Sequence, residues 1–517
     1  MSTKSLLKWG LGVAAALAFA SPSFAAISMS GTGASAGNDF VKISPNGFCD
    51  PNEDGDRFEN DGTQLELNPT NSNFNLPIGG GKLVVWKCKF GGQDLTFRYR
   101  SEGSIKGYTP LLATSGTDES KATQMLESVS PADCDAGTNI PNPFGAGVRT
   151  LYENCTTGVE LVEADFGVSD VAGSSFGQVG PVGIAPFFPT DTVDPVSTAG
   201  LTVESVAVLP FSVWFGAQVG VEDASGNVKK AESISHLQLE TTLAGLNDEW
   251  EQMGYVTGEH GGPKNAGPTT ISRCHRQAGS GTKASVDQTL MKDVDENSSG
   301  FIPGFGPFFL GTWIDNRDGN FFMEGTSDVR RCLEGRDAGS LDAQGHAFGI
   351  GYGNGEHLES KGSLTKDPGN TIDVQPVYVV DIDGFTIRDE SRGCEAANLG
   401  NAAAIAACEA SPPANGTDVK FDAGAKQDLR CGKYRFWVEE RIARKDSLAG
   451  DKLSVWNDFV TQTKDQATLD QLVPTGDYWE STEDMSVFKT VDAGPVRFKA
   501  GQQDQCFPID SLTFQAL

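Results

Sequence analysis

The sequence predicts an α/β fold built on open sheets. Short apolar runs alternate with stretches of helical period, and Gly-rich turns stand between them. Neither a solenoid repeat nor coiled-coil heptads interrupt that alternation. Lys82 to Phe90 (KLVVWKCKF) and Leu95 to Tyr99 read as strands, and Val159 to Val168 as another that ends at a turn. Leu201 to Phe215 is strand material with a break expected at Pro210, because proline brings no N–H to a ladder. Ser235 to Met253 carries helical periodicity through Leu237, Leu243, Leu246 and Trp250. Ser285 to Met291 reads as a helix behind a Gly-rich turn, His346 to Tyr352 as a buried strand, and Tyr434 to Val438 as one more. The Gly/Pro-rich stretches at 131–147, 173–195 and 258–269 are expected as long loops, and 394–423 as a local insertion.

The N-terminus has the pattern of a secretory signal. Lys4 and Lys8 precede the apolar run Leu11 to Ala20, and Ser23-Phe24-Ala25 offers small residues for cleavage after Ala25. No later stretch reaches the roughly 18 apolar residues a membrane span needs, so no membrane insertion is expected of the mature chain. The signal contains no Cys for lipid attachment. A periplasmic or secreted location agrees with ten cysteines, none in a C-x-x-C pair, which read as disulfides rather than zinc ligands. Neighbouring pairs are expected: 49–88, 134–155, 274–332, 394–408 and 431–506. The formal charge of -29 excludes binding to nucleic acid through the overall field. An anion would have to be captured locally, against that field.

Four segments, in order, resemble the phosphate-binding proteins of bacterial ABC importers. Ser30 to Ala36 (SGTGASA) resembles that family's opening turn T-G-A-G-A-T-F, and Arg100 to Gly107 (RSEGSIKG) the Ser/Gly turn that opens its next helix. Ala164 to Val171 (ADFGVSDV) is close to D-F-G-A-S-D, and Arg276 to Thr282 (RQAGSGT) resembles R-x-D-G-S-G-T. His236 to Trp250 and Gly345 to Tyr352 are similar to intervening framework elements, and the likeness fades beyond Tyr352. The resemblance implies a two-lobed periplasmic-binding fold with a ligand in the cleft. Lobe 1 is expected over 26–207 and 375–517, and lobe 2 over 208–374. The implied role is a solute-binding protein for phosphate or a related oxyanion, with an ABC permease as partner and no catalytic activity.

The chemistry of the quoted residues agrees with that role. Backbone N–H groups at helix N-termini bind oxyanions. Gly permits close approach, and Ser or Thr adds a hydroxyl. The candidate ligand-binding residues are Ser35, Ala36, Ser101, Asp170, Arg276, Ser280, Gly281 and Thr282. Arg276 would supply a charged fork. Asp170, as a carboxylate, can only accept hydrogen bonds and so favours an anion that still carries a proton. Ala278 departs from the resembled motif, which has Asp there. Each turn taken alone also reads as an ordinary helix cap.

One further motif stands apart. Asp50 to Asp61 (DPNEDGDRFEND) follows the calcium-loop pattern at Asp50, Asn52, Asp54 and Gly55, with Asp61 at the twelfth position where Glu is usual. A structural calcium is the one metal the sequence offers, and no other cofactor is expected. Catalytic signatures are mostly absent: Ala278 to Thr282 is not G-x-S-x-G, there is no phosphate loop, and the five His form no H-E-x-x-H. Two other classes stay open, an extracellular scaffold or adhesin that keeps the fold without transport, and a secreted phosphatase.

Overall fold

The computed structural model describes residues 26–35, 37–60, 83–101, 103–113, 122–126, 129–156, 159–176, 178–179, 192–216, 218–276, 279–291, 320–323, 325–333, 348–355, 377–385, 428–469, 479–489, 492, 496–502 and 506. The expected signal segment therefore lies outside it. So do Ala36, Asp61, Ala278 and the 394–408 cysteine pair. Among the described residues, no helix is long and apolar enough to cross a membrane.

One sheet of 15 strands organises the chain. In chain order they are β1 (Ile27–Gly33), β2 (Gly55–Asn60), β3 (Leu83–Phe90), β4 (Gln93–Ser101), β5 (Thr138–Ile140), β6 (Arg149–Tyr152), β7 (Phe166–Ser169) and β8 (Leu201–Phe215). There follow β9 (Ser233–Ile234), β10 (Ser272–Arg276), β11 (Asn320–Met323), β12 (Gly349–Asn354), β13 (Tyr378–Ile382), β14 (Trp437–Lys445) and β15 (Glu480–Ser481). The main path runs β11-β10-β12-β8-β14-β7-β1-β4-β3-β2-β6-β5. Two parallel groups are visible in it. β1 lies parallel to β4 and β7, and β10 lies parallel to β11 and β12. The antiparallel strands β8 and β14 join them. The α/β class follows from this topology.

β8 is the bridge. It is continuous over 15 residues, so the break expected at Pro210 does not occur. The reason lies in the pairing. Leu201 to Pro210 pair with β14, and Phe211 to Phe215 pair with β12. Pro210 sits at the hand-over, where its missing N–H interrupts neither ladder. The expected lobe limit between residues 207 and 208 falls inside this strand.

Helices cover the sheet: α1 (Gly37–Phe48), α2 (His236–Leu243), α3 (Gly281–Thr289), α4 (Thr326–Leu333) and α5 (Gly450–Lys464). α5 buries Val455, Trp456, Phe459 and Val460, a stripe at helical spacing. Phe459 stacks edge-on against Phe97 of β4 and Phe166 of β7, and Phe48 of α1 meets Phe97. Burying one such ring contributes about 1.5–3 kcal/mol, so this aromatic cluster fixes both helices to the first parallel group. In the second group, Cys332 and Val329 of α4 pack with Cys274, Trp214 and Met323.

Two further expectations need correction. The helix expected over 235–253 stops at Leu243, because Gly245 takes a left-handed φ of 73° and the chain resumes as a short 3-10 turn at Trp250–Met253. The strand expected over 159–168 is two strands, Val159–Glu163 and Phe166–Ser169, which pair with different partners. Disulfides join 49–88, 134–155, 274–332 and 431–506, as the neighbour rule expects.

Candidate functional site

The three small-residue turns meet at the C-terminal ends of parallel strands. β1 ends at Gly33, whose φ of 141° and close approach to the Val168 carbonyl exclude a side chain. Ala34 N–H donates to Val168 O at 2.8 Å, and Gly103 N–H donates to Gly33 O at 2.8 Å. The turn after β4 is thus held against the turn after β1. It also reaches the second group, where Ile105 N–H donates to Gly279 O at 3.4 Å.

β10 carries Arg276 to the same place and then enters α3. Ser280 caps α3, its hydroxyl accepting from Lys283 N–H at 3.4 Å. The next residue must be glycine: a Cβ on Gly281 would overlap the Ser104 hydroxyl and the Asp170 carboxylate. Instead, Gly281 N–H donates to Ser104 Oγ at 3.1 Å, and Ser104 Oγ donates to Asp170 Oδ2 at 2.9 Å. A backbone donor at a helix N-terminus, a hydroxyl and a carboxylate are thereby lined up within one chain of bonds.

Arg276 is 6 % exposed. Its Nη1 donates to Thr326 Oγ1 at 2.7 Å and to Thr282 Oγ1 at 3.3 Å. Its backbone N–H donates to Tyr352 OH at 3.3 Å, and burial pushes that phenol well above its ordinary range. Asp170 is 3 % exposed. Burial raises its carboxyl above the usual range, while hydrogen bonds with Glu440 and Ser104 and the Arg276 charge pull the other way. Farther into α3, Lys283 and Asp287 form a buried ion pair at 2.9 Å.

The sequence-predicted residues divide accordingly. Asp170, Arg276, Ser280, Gly281 and Thr282 are brought together. Ser101 closes β4 opposite Gly33 and is buried. Ser35 is exposed in the turn before α1. Sequence reasoning omitted three residues that the geometry places here. Ser104 belongs to a quoted motif and could have been chosen for its hydroxyl. Glu440 and Thr326 arrive from strands and helices distant in sequence and carry no local signal.

The acidic loop at residues 50–54 is elsewhere. Asp50 Oδ1 and Oδ2 accept from Gly91 and Gly92 N–H at 2.9 and 2.7 Å, and Asp54 Oδ1 accepts from Val148 N–H at 2.8 Å. Asn52 Oδ1 accepts from Ala146 N–H at 3.4 Å, and the Arg149 guanidinium donates to the carbonyls of Asp50 and Glu53. Among the described residues, no group of three or more His, Cys, Asp or Glu could hold a metal ion. Calcium here remains a proposal that would need Asp61 and would have to accommodate the guanidinium.

A scan of known protein families finds no match, and no curated protein matches. Among solved structures, similarity is found to a protein described as a phosphate ABC transporter substrate-binding protein, with bound phosphate, from Clostridium perfringens. Identity is 10 %, the TM-score 0.38, and 87 % of this chain and 98 % of that one are covered. PstS from Borrelia burgdorferi is similar at 10 % identity and a TM-score of 0.32, covering 86 % and 97 %. An ABC-type phosphate transport receptor from Vibrio cholerae is similar at 10 % identity and a TM-score of 0.28, covering 60 % and 79 %. At likeness this low, nothing about ligand or partner passes from those proteins to this chain.

Proposed function

We propose that this chain is an exported solute-binding protein that captures phosphate or a related protonated oxyanion between its two parallel-strand groups, for delivery to an ABC permease. The observation that carries the reading is that Ser104 links Asp170 to the α3 N-terminus, while buried Arg276 bonds Thr282 in the first turn of that helix. Arg276 supplies positive charge in a buried place, where it is screened little. Gly281 N–H and the hydroxyls of Ser280 and Thr282 are donors for anion oxygens. Asp170 supplies a carboxylate acceptor, which suits an anion with a proton to give. An oxyanion entering here would take over the bonds that Ser104, Gly281 and Asp170 make with one another.

The resembled family's Asp is replaced by Ala278, leaving one fewer negative charge in the segment Arg276 to Thr282. Discrimination of phosphate from sulfate should therefore rest on Asp170. Calorimetric titration with phosphate, arsenate and sulfate tests the reading, together with Ala278→Asp. Binding of phosphate and arsenate, with weaker sulfate, supports it. If no oxyanion binds the wild type or Ala278→Asp, the scaffold reading replaces it.

A further inference from the structure

The acidic loop at residues 50–55 is wrapped around a guanidinium. Arg149 opens β6, which lies parallel to β2 with Arg149 opposite Gly55. Its side chain is 1 % exposed. Nη1 donates to the Glu53 carbonyl, Nη2 to the Asp50 carbonyl at 3.1 Å, and Nε to Asn46 Oδ1 of α1 at 3.0 Å. Every nitrogen of the group therefore has an acceptor. Gly55 lies against it as well: a Cβ there would stand 3.3 Å from Nη1.

The side chains that the calcium pattern singles out bond instead to neighbouring segments. The Asp50 carboxylate accepts from Gly91 and Gly92 N–H in the turn between β3 and β4. Asn52 and Asp54 accept from Ala146 and Val148 N–H ahead of β6. Asn142 Nδ2 and Gly147 N–H both donate to the Pro51 carbonyl at 3.0 Å, and the 49–88 bridge ties the start of the loop to β3. The loop thus offers carbonyls to the guanidinium and side-chain oxygens to its neighbours. Calcium in such a loop gathers roughly 6–8 oxygens around one point. A guanidinium fixed beside that point would repel it, with little screening in so buried a place. Arginine also keeps its proton at every pH a folded protein meets, so the repulsion cannot be titrated away.

We propose that Arg149 is the resident cation of this loop, and that a tethered guanidinium holds residues 50–55 in shape where the sequence pattern suggests calcium. Being part of the chain, this cation gives up no translational freedom when it seats. Neither dilution nor a chelator can remove it. The order of the loop, and of the two segments bonded to it, is then the same at any calcium level outside the cell. The proposal does not depend on the oxyanion reading above.

Hydrogen exchange read by mass spectrometry over residues 89–93 and 145–149 reports on the amides of Gly91, Gly92, Ala146 and Val148, which the loop side chains hold. In the wild type these segments should exchange equally fast in millimolar calcium and in a chelator. In Arg149→Ala they should exchange at least about tenfold faster, because the bonds to a charged donor that close the loop are gone. Slower exchange of the wild type in calcium than in chelator gives the loop to the metal and overturns the proposal. Wild-type exchange rates in Arg149→Ala overturn it too. Should Arg149→Ala fail to fold, Arg149→Lys takes its place. An ammonium keeps the charge but lacks the planar fork that reaches Asn46, Asp50 and Glu53 together. Faster exchange is again expected, and its absence is again fatal.

Discussion

Replacing Arg276 by Ala should weaken phosphate binding by roughly 10- to 150-fold. The side chain is 6 % exposed, so its charge acts in a poorly screened place and water cannot readily take over its role. A hydrogen bond to a charged group contributes about 1.5–3 kcal/mol, and each 1.4 kcal/mol is about tenfold in affinity. The structural cost is separable. Arg276 donates to Thr282 and Thr326 through Nη1, so a cost in stability of at least about 1.5–3 kcal/mol accompanies the loss of affinity. Thr326→Val removes one of those bonds and leaves the charge, and should change affinity little. Arg276→Lys keeps the charge without the fork and should fall between wild type and Arg276→Ala. Calorimetry with phosphate gives the affinities, and thermal melting reports the stability separately. Phosphate affinity in Arg276→Ala equal to the wild type, in a folded protein, would refute the placement of the anion beside this guanidinium.

Asp170→Asn should stabilise the protein at neutral pH while abolishing the preference for phosphate over sulfate. Burial raises the folded-state pKa of Asp170. Between its unfolded and folded values the unfolded state therefore binds fewer protons, and stability falls as pH rises through that window. The variant's advantage in melting temperature should grow from nothing near pH 3 to a plateau above the folded pKa, and a pH-independent difference would contradict the buried charge. Removing the 274–332 bridge with Cys274→Ser and Cys332→Ser should cost about 4 kcal/mol by the loop-closure relation for a separation of 58 residues, read as a lower denaturant midpoint. Alkylation of the native protein followed by mass spectrometry should find none of the ten cysteines reactive, and labelling at Cys394 or Cys408 would break the neighbour-pairing rule there. Small-angle scattering should show compaction with saturating phosphate, because the donors come from both strand groups. An identical profile would place binding within one group.

The three turns were legible in the sequence because each is local: small residues, then a helical period, at the end of an apolar run. Asp170 and Arg276 were legible for the same reason, each lying in the segment that positions it. Pro210 misled because a proline's effect depends on which ladder needs its N–H, and the change of partner from β14 to β12 is set by the whole sheet. The helix from Ser235 misled because its apolar period continues past Gly245 while the backbone does not. Glu440 was invisible. It lies beyond the strand read at Tyr434 to Val438, and only the fold buries it on β14, far in sequence from Asp170. Ser104 shows a finer limit, since the motif was noticed but the hydroxyl that reaches across was not separable from its neighbours.

The four described bridges each join cysteines with no other cysteine between them in the chain. A polypeptide made from its N-terminus presents those thiols to an oxidant in the order in which they belong together. Each pair can close before the next appears, and no thiol must wait past a stranger to meet its mate. Oxidation in order of emergence then gives the native connectivity directly, without a step that reshuffles bonds. Denatured and reduced chains present all the thiols at once and lose that ordering, so refolding in vitro would depend on disulfide exchange far more than first synthesis does.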